Sequence, residues 1–316
     1  MHGCAERMKV MTSKSGSKKR IALVGFGNVG REVLAALESA PDMEPAGVIL
    51  RNPQKAAVLR EELALPVVGD VSELSKVDGA VLAIASRAVP QVAPLYLEKG
   101  ISTVDSFDIH GEAVMEMRKN LHETATKHGV TAVICAGWDP GLDSVVRALL
   151  EVIAPRGITY TNFGPGMSMG HTVAVKGLPG VRNALSETLP KGEGLHKRYV
   201  YVELEEGAVF EEVEKAIQGD PYFCHDETYV YSVEDVEKLM DQGHGVHMIR
   251  RGVSGSTHNQ RMEFNMTLQN PAATAQAMVS SMRASFRQAP GCYTMLEIPP
   301  IDFLEGDRER LLRRLV

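Results

Sequence analysis

Three glycines in Gly25-Phe26-Gly27-Asn28-Val29-Gly30 have the spacing of a turn that cradles a dinucleotide pyrophosphate. The pattern alone is common in turns, but here it follows the β-branched run KRIALV and opens REVLAALESAPDM, where Val33, Leu34, Leu37 and Ala40 recur at helical spacing. In that setting Gly25 permits the tight turn, Gly27 the close approach of phosphate and Gly30 the packing of helix on strand, with the phosphates facing a helix N-terminus. The next strand, PAGVIL (45–50), ends in Arg51-Asn52. An acid at that position would hold a ribose 2′-hydroxyl, whereas a base suits a 2′-phosphate, so the cofactor expected is NADP(H).

Two carboxylate clusters follow later strands. Asp105-Ser-Phe107-Asp108-Ile-His110 lies past the run 101–106, and Gly137-Trp138-Asp139-Pro140-Gly141 past the run 129–137. Ligands of open α/β sheets bind beyond such strand ends. Two carboxylates beside an indole can bind an ammonium group and pass its proton on. Taken singly, Asp105 also suits a helix cap and Asp139 a turn residue before Pro-Gly. His244 and His247 form H-x-x-H, but the spacing fits neither an i, i+4 helical pair nor a zinc finger with its cysteines, so no metal is expected. His171, after MSMG, is expected to organise its loop, and Met167 and Met169 to offer flexible apolar contacts.

The chain that must position these groups has 316 residues, enough for two domains. Of its 34 basic and 40 acidic residues, six and one lie in residues 1–20, leaving 28 and 39 beyond. An acidic body is a poor partner for nucleic acid or anionic membrane, so bound phosphate needs a local device. The four cysteines are far apart without C-x-x-C spacing, which argues for thiols in a reducing compartment. No run of 18 apolar residues and no apolar segment behind the basic N-terminus occur, so a cytoplasmic protein with a disordered leader over 1–19 is expected.

Short apolar runs at 66–70, 79–86, 101–106 and 129–137 alternate with helical segments, which predicts a doubly wound parallel sheet of Rossmann type over 20–137. Beyond GWDPG the pattern changes. KRYVYVELEE and QRMEFNMTLQ alternate like half-solvated antiparallel strands around the helix FEEVEKAIQGD, predicting a second α+β domain for substrate and dimerisation over 138–288. Residues 271–288 read as a long helix, and YTMLEIPPIDFL as a last strand and Pro-broken tail that completes the first domain over about 289–316.

From residue 20 to the C-terminus the chain resembles the meso-diaminopimelate D-dehydrogenases. The stretches that carry the likeness are GFGNVGR, VDSFDIH, AGWDPG, TNFGPGMSMGH, PGVRNALSETLP, HKRYVYVEL, GHGVHM, THNQ and GCYTMLEIPP, in that order. The resemblance implies reversible NADP-dependent oxidative deamination of the D-centre of meso-2,6-diaminopimelate to L-2-amino-6-oxopimelate and ammonia, as part of lysine biosynthesis. It also implies a homodimer or a higher homo-oligomer. Asp108 and Asp139 match the family's D-centre aspartates, with Trp138 and Phe163 as apolar walls and Met169 and Gly170 on the substrate loop. Thr188, Arg198, His244 and Asn270 match the clamp on the L-centre; by itself Arg198, on an alternating strand, would read as a solvated charge. Ser86, Arg87, Asp105 and Phe107 join the glycine turn, Arg51 and Asn52 as expected cofactor contacts. Phe163, where other members have Trp, and the longer GMSMGH loop mark a branch associated with broader D-amino acid tolerance.

Two other functions fit the residues less well. A reductase of a cyclic imine, such as dihydrodipicolinate reductase, shares the two-domain plan but should carry a His-rich catalytic motif that the chain lacks. A non-catalytic NADP-binding sensor would have no use for Asp108, Asp139 and Arg198 together.

Overall fold

The structure is a computed structural model and describes residues 17–109, 111–239 and 243–316. Most of the expected leader, and His110, lie outside the described residues. The first half alternates as the sequence requires: β1 (Lys19–Val24), α1 (Asn28–Ser39), β2 (Met43–Ile49), α2 (Pro53–Glu62), β3 (Val67–Val68), β4 (Gly79–Leu82), α3 (Val89–Leu97), β5 (Ser102–Asp105), α4 (Glu112–His128) and β6 (Thr131–Ile134). There follow α5 (Leu142–Ile153), β7 (Arg156–Phe163), β8 (Gly166–Met167), α6 (Met169–Lys176), β9 (Val181–Gly192), β10 (Leu195–Leu204), α7 (Phe210–Gly219) and β11 (Glu227–Ser232). The chain ends through β12 (His244–Ser254), β13 (Thr257–Leu268), α8 (Asn270–Ser285), β14 (Gly291–Thr294) and α9 (Arg308–Leu315).

Seven parallel strands in the order β14-β6-β5-β4-β1-β2-β3 form the Rossmann-type sheet. Its two faces follow from the two-residue period of strands. Ile21, Leu23, Val81, Val104 and Val133 pack on α1 and α8, while Ala22, Val24, Leu82 and Ile134 pack on α3 and α4. The order changes direction at β1 and β4, which opens the crevice at their carboxyl ends that dinucleotides use. The last strand does return to this sheet, pairing with β6.

One boundary differs from the sequence reading. Helix α8, expected in the second domain, buries Ala275, Met278, Val279 and Met282 in the core of the parallel sheet. Its apolar residues are small or flexible and fill the space over β4, β5 and β6; a Met278→Ala change there should cost about 2–5 kcal/mol. The short helix α9 was not foreseen, because RERLLRRL offers only Leu311 as a buried residue.

The second domain holds two smaller sheets. One is four-stranded, β11-β10-β9-β8, and covers Val175, Val200, Val202, Val213, Ile217 and Phe223 with α6 and α7; the other is the antiparallel β13-β12-β7. The expected antiparallel pairing holds except at β10 and β11, which run parallel. Trp138 joins Val246 and Met248 where this domain meets the first.

Candidate active site

The β1–α1 turn is built for a phosphate. Gly25 has φ of 90°, and a side chain there would strike the Ala83 carbonyl; one on Gly30 would meet the Gly25 carbonyl. At Gly27 a side chain would meet nothing within 4 Å, so the open face of the turn lies at the uncapped N-terminus of α1, which Asn28 and Val29 begin. That is the opening a pyrophosphate needs, and the residues present therefore fit a dinucleotide. Beside it runs a groove of ≈ 560 Å³ lined by Phe26, Gly27, Arg31, Leu50, Gln54 and Lys55 among others. Arg51 is exposed at the end of β2. Asn52 caps α2, its side-chain oxygen accepting the Lys55 N–H at 3.0 Å. Arg31, over the Phe26 ring at 5.0 Å, and Lys55 are basic groups of this groove that the motif alone did not single out.

Four other residues expected at the cofactor, Asp105, Phe107, Ser86 and Arg87, also make contacts within the protein. Asp105 is fully buried and accepts the Phe107 N–H at 3.0 Å, and Phe107 is itself buried. The Ala136 N–H donates to the Asp105 main-chain carbonyl at 2.8 Å, which ties the segment leading to Asp108 to the segment leading to Asp139. Burial pushes the Asp105 carboxyl up to about 7. Ser86 accepts the Asp108 N–H at 3.2 Å. Arg87 reaches across to the second domain, where it lies 3.7 Å from the Asp220 carboxylate and 5.8 Å from the centre of the Tyr222 ring.

Asp108 and Asp139 lie past the ends of neighbouring strands β5 and β6. Asp108 accepts the Tyr222 hydroxyl at 2.9 Å and abuts Gly170 in the first turn of α6, where any side chain would collide with its carboxylate. Burial, with the negative Asp143 nearby, holds the Asp139 carboxyl well above the usual range. His171 does organise its loop, bonding Ser168 at 2.7 Å and standing edge-on to Tyr222 and Phe223. Met167 and Met169 pack around Leu185 and Val236.

Trp138 is 3 % exposed, with its indole N–H given to Asn270 at 3.0 Å and its ring edge-on to Phe163 and His244. Asn270 thereby anchors the indole. Burial lowers the His244 pKa to about 4, so its ring is neutral, and its Nδ1 has no partner among the described residues. His247, three residues along the strand, pairs instead with Glu263 at 3.1 Å. Next to His244 stand His196, which accepts the Phe163 N–H at 2.7 Å, and Arg198. Arg198 gives Nε to Asp226 at 2.7 Å and Nη1 to Thr188, and is only 11 % exposed. The structure thus gathers Asp108, Asp139, Gly170 and Tyr222 at one end, and Thr188, Arg198, His244 and His196 at the other, with Trp138 and Phe163 between.

Comparison with known proteins bears on this arrangement directly. Residues 19–107 match the model of the oxidoreductase family with an NAD-binding Rossmann fold, and residues 137–197 that of the diaminopimelic acid dehydrogenase C-terminal domain. The meso-diaminopimelate D-dehydrogenase of Bacteroides fragilis is 55 % identical over 95 % of this chain and 99 % of its own. The chain belongs to the meso-diaminopimelate D-dehydrogenase family. A more distant member, from Corynebacterium glutamicum, is 30 % identical over 89 % of this chain and 94 % of its own. The C. glutamicum diaminopimelate dehydrogenase, solved in complex with diaminopimelate, superimposes with a TM-score of 0.84 at 30 % identity, covering 95 % of this chain and 99 % of that one. An engineered D-amino acid dehydrogenase bound to NADP+ gives a TM-score of 0.82 at 28 % identity, covering 95 % and 100 %. Of the residues this dehydrogenase fold gathers, sequence reading missed Tyr222, Asp143, Asp226 and His196. None stands in a glycine turn or strand-end motif, and only folding brings them in.

Proposed function

We propose that this chain catalyses the NADP-dependent, reversible oxidative deamination of the D-centre of meso-2,6-diaminopimelate to L-2-amino-6-oxopimelate and ammonia, serving lysine biosynthesis. The observation that carries this reading is the two-ended site, with carboxylates at one end and a largely covered arginine at the other. When bound, NADP+ supplies the oxidising power that turns the D-centre amine into an imine. Asp108 binds the ammonium group and takes its proton, freeing the nitrogen lone pair that the oxidation requires. Trp138 and Phe163 wall the space between the two ends and exclude water. A meso substrate presents two centres that differ only in handedness, so the far end must also be held. Arg198 takes the L-carboxylate, with Thr188 and neutral His244 beside it.

Arg51 and Lys55 favour the 2′-phosphate of NADP over NAD. Residues 20–137 with 289–316 serve the cofactor and 138–288 the substrate, α8 excepted. The second domain forms a homodimer interface, and exposed apolar residues at its margin, Leu149, Val152, Ile153 and Ile158, support this. Among the described residues no helix is long and apolar enough to cross a membrane, and the enzyme is assigned to the cytoplasm. Phe163 and the loop at Met167–Gly170 extend the substrate range to other D-amino acids.

The test runs the reaction backwards. Enzyme, NADPH, ammonium and L-2-amino-6-oxopimelate should yield diaminopimelate of meso configuration, with NADH a poor substitute. Formation of the LL-isomer, or no ammonium-dependent NADPH oxidation, would refute the reading.

A further inference from the structure

His196 carries no motif, yet the fold sets it beside the clamp around Arg198. It lies near the start of β10, two residues before Arg198, so the alternation of a strand turns both side chains to one face. Across the sheet Arg198 pairs with Thr188 and Thr188 with Gly166, where a side chain would strike the His244 backbone. His244 therefore borders the same corner. The rings enclose it: His196 lies 5.5 Å from Phe163, Phe163 6.2 Å from Trp138, and Trp138 5.1 Å from His244, centre to centre.

The hydrogen bond made by His196 fixes where its proton sits. The Phe163 N–H donates to Nε2 at 2.7 Å, and a backbone amide can only donate. Nε2 therefore offers its lone pair, and the proton of the neutral ring is on Nδ1. Burial, and after it the Arg198 guanidinium, hold this imidazole below its ordinary pKa against a smaller opposing effect of Asp226. The Nδ1–H has no acceptor among the described residues. His244 has a matching feature: it is 5 % exposed, and its Nδ1 has no partner among the described residues. A buried ring nitrogen left alone is costly, so a polar group from outside the chain completes this corner.

We propose that His196 is a specificity-determining residue, its Nδ1–H donating to the same substrate L-carboxylate that Arg198 holds, while its Nε2 fixes the end of β7 and with it the Phe163 wall. This rests on the reading of the Arg198 end as the clamp for the L-centre. Arg198 alone accepts any carboxylate that reaches it. A second donor on the same strand requires both carboxylate oxygens to be placed at once, which restricts the orientation of the L-centre. Because the same imidazole holds the Phe163 amide, the wall and the clamp are set by one side chain.

Two variants separate the two ring nitrogens. Asparagine ends near the position of Nδ1 and keeps an N–H there, whereas glutamine reaches the position of Nε2 and keeps an acceptor for Phe163. The probe is meso-diaminopimelate, titrated by calorimetry into the full-length enzyme saturated with NADPH, a mixture that cannot turn over. His196→Gln should weaken binding about tenfold or more, the scale of one hydrogen bond to a charged group, and raise KM alike while kcat stays within about twofold. His196→Asn should keep the dissociation constant within about threefold and lower kcat through the released Phe163 wall. Unchanged binding in His196→Gln overturns the proposal, as does a loss of binding and turnover together in both variants. Should either variant fail to fold, the other decides alone: weakened binding at constant kcat in His196→Gln, or retained binding in His196→Asn, supports the role, and the reverse ends it. Arg198→Met tells this failure from that of the clamp. Weakened binding there with none in His196→Gln removes His196 only, and unchanged binding in both removes the L-centre clamp as well.

Discussion

Arg198→Lys keeps a positive charge and removes only the planar fork. The structure accounts for the five guanidinium N–H groups: Nε–H goes to Asp226, one Nη1 hydrogen goes to Thr188, and three remain for a substrate carboxylate. Lysine offers three donors from a single point and cannot satisfy Asp226 and Thr188 while also presenting two parallel donors. One charge-assisted hydrogen bond is lost in a site only 11 % exposed, at about 1.5–3 kcal/mol, which corresponds to roughly a 10- to 150-fold fall in kcat/KM. The loss should fall mainly on KM, because the L-centre does not change charge during the reaction. Initial rates against meso-diaminopimelate, with NADP+ saturating, measure it. A kcat/KM within threefold of the unsubstituted enzyme, or a fall in kcat at constant KM, would refute the clamp.

Three other perturbations probe separate parts of the account. Tyr222→Phe removes the phenol that donates to Asp108 and should lower kcat about five- to tenfold through loss of one hydrogen bond, with the KM for NADP+ unchanged; stopped-flow rates check it. Arg51→Ala should weaken NADPH binding far more than NADH binding in calorimetric titration, and equal losses would remove Arg51 from the cofactor site. The Asp105 carboxyl is raised to about 7 in the folded chain, so the folded state holds a proton that the unfolded chain releases near pH 4. Its contribution to stability is complete below pH 4 and is lost as pH rises towards 7, at up to about 1.4 kcal/mol per pH unit. Asp105→Asn should flatten that slope in denaturant melts between pH 4 and 7; an unchanged slope would show that Asp105 is not its source.

How far the sequence was legible depended on how local each signal was. The turn at Gly25–Gly30 was readable because three glycines have three separate steric duties within six residues. The parallel strands were readable as short β-branched runs, and so was the return of β14 to the sheet. Helix α8 was readable as a helix but not as a part of the first core, since its alanines and methionines suit either sheet. Asp105 was legible only in part: its position at a strand end suggested a ligand contact, while its full burial and its hydrogen bond to the Phe107 backbone amide emerge only on folding. Tyr222 and Asp226 follow a helix with no motif around them, and their partners Asp108 and Arg198 lie 114 and 28 residues away. Contacts at that separation leave no trace in spacing.

The central claim, that a two-ended site reads one D-centre and one L-centre, is tested most directly by the three stereoisomers of the substrate. NADP+ reduction is followed at alkaline pH with meso-, LL- and DD-diaminopimelate in turn. Rapid reduction with the meso isomer, none with LL and at most weak reduction with DD is the predicted result. Equal rates with meso and DD would contradict the L-centre clamp, and reduction with none of the three would contradict the account as a whole.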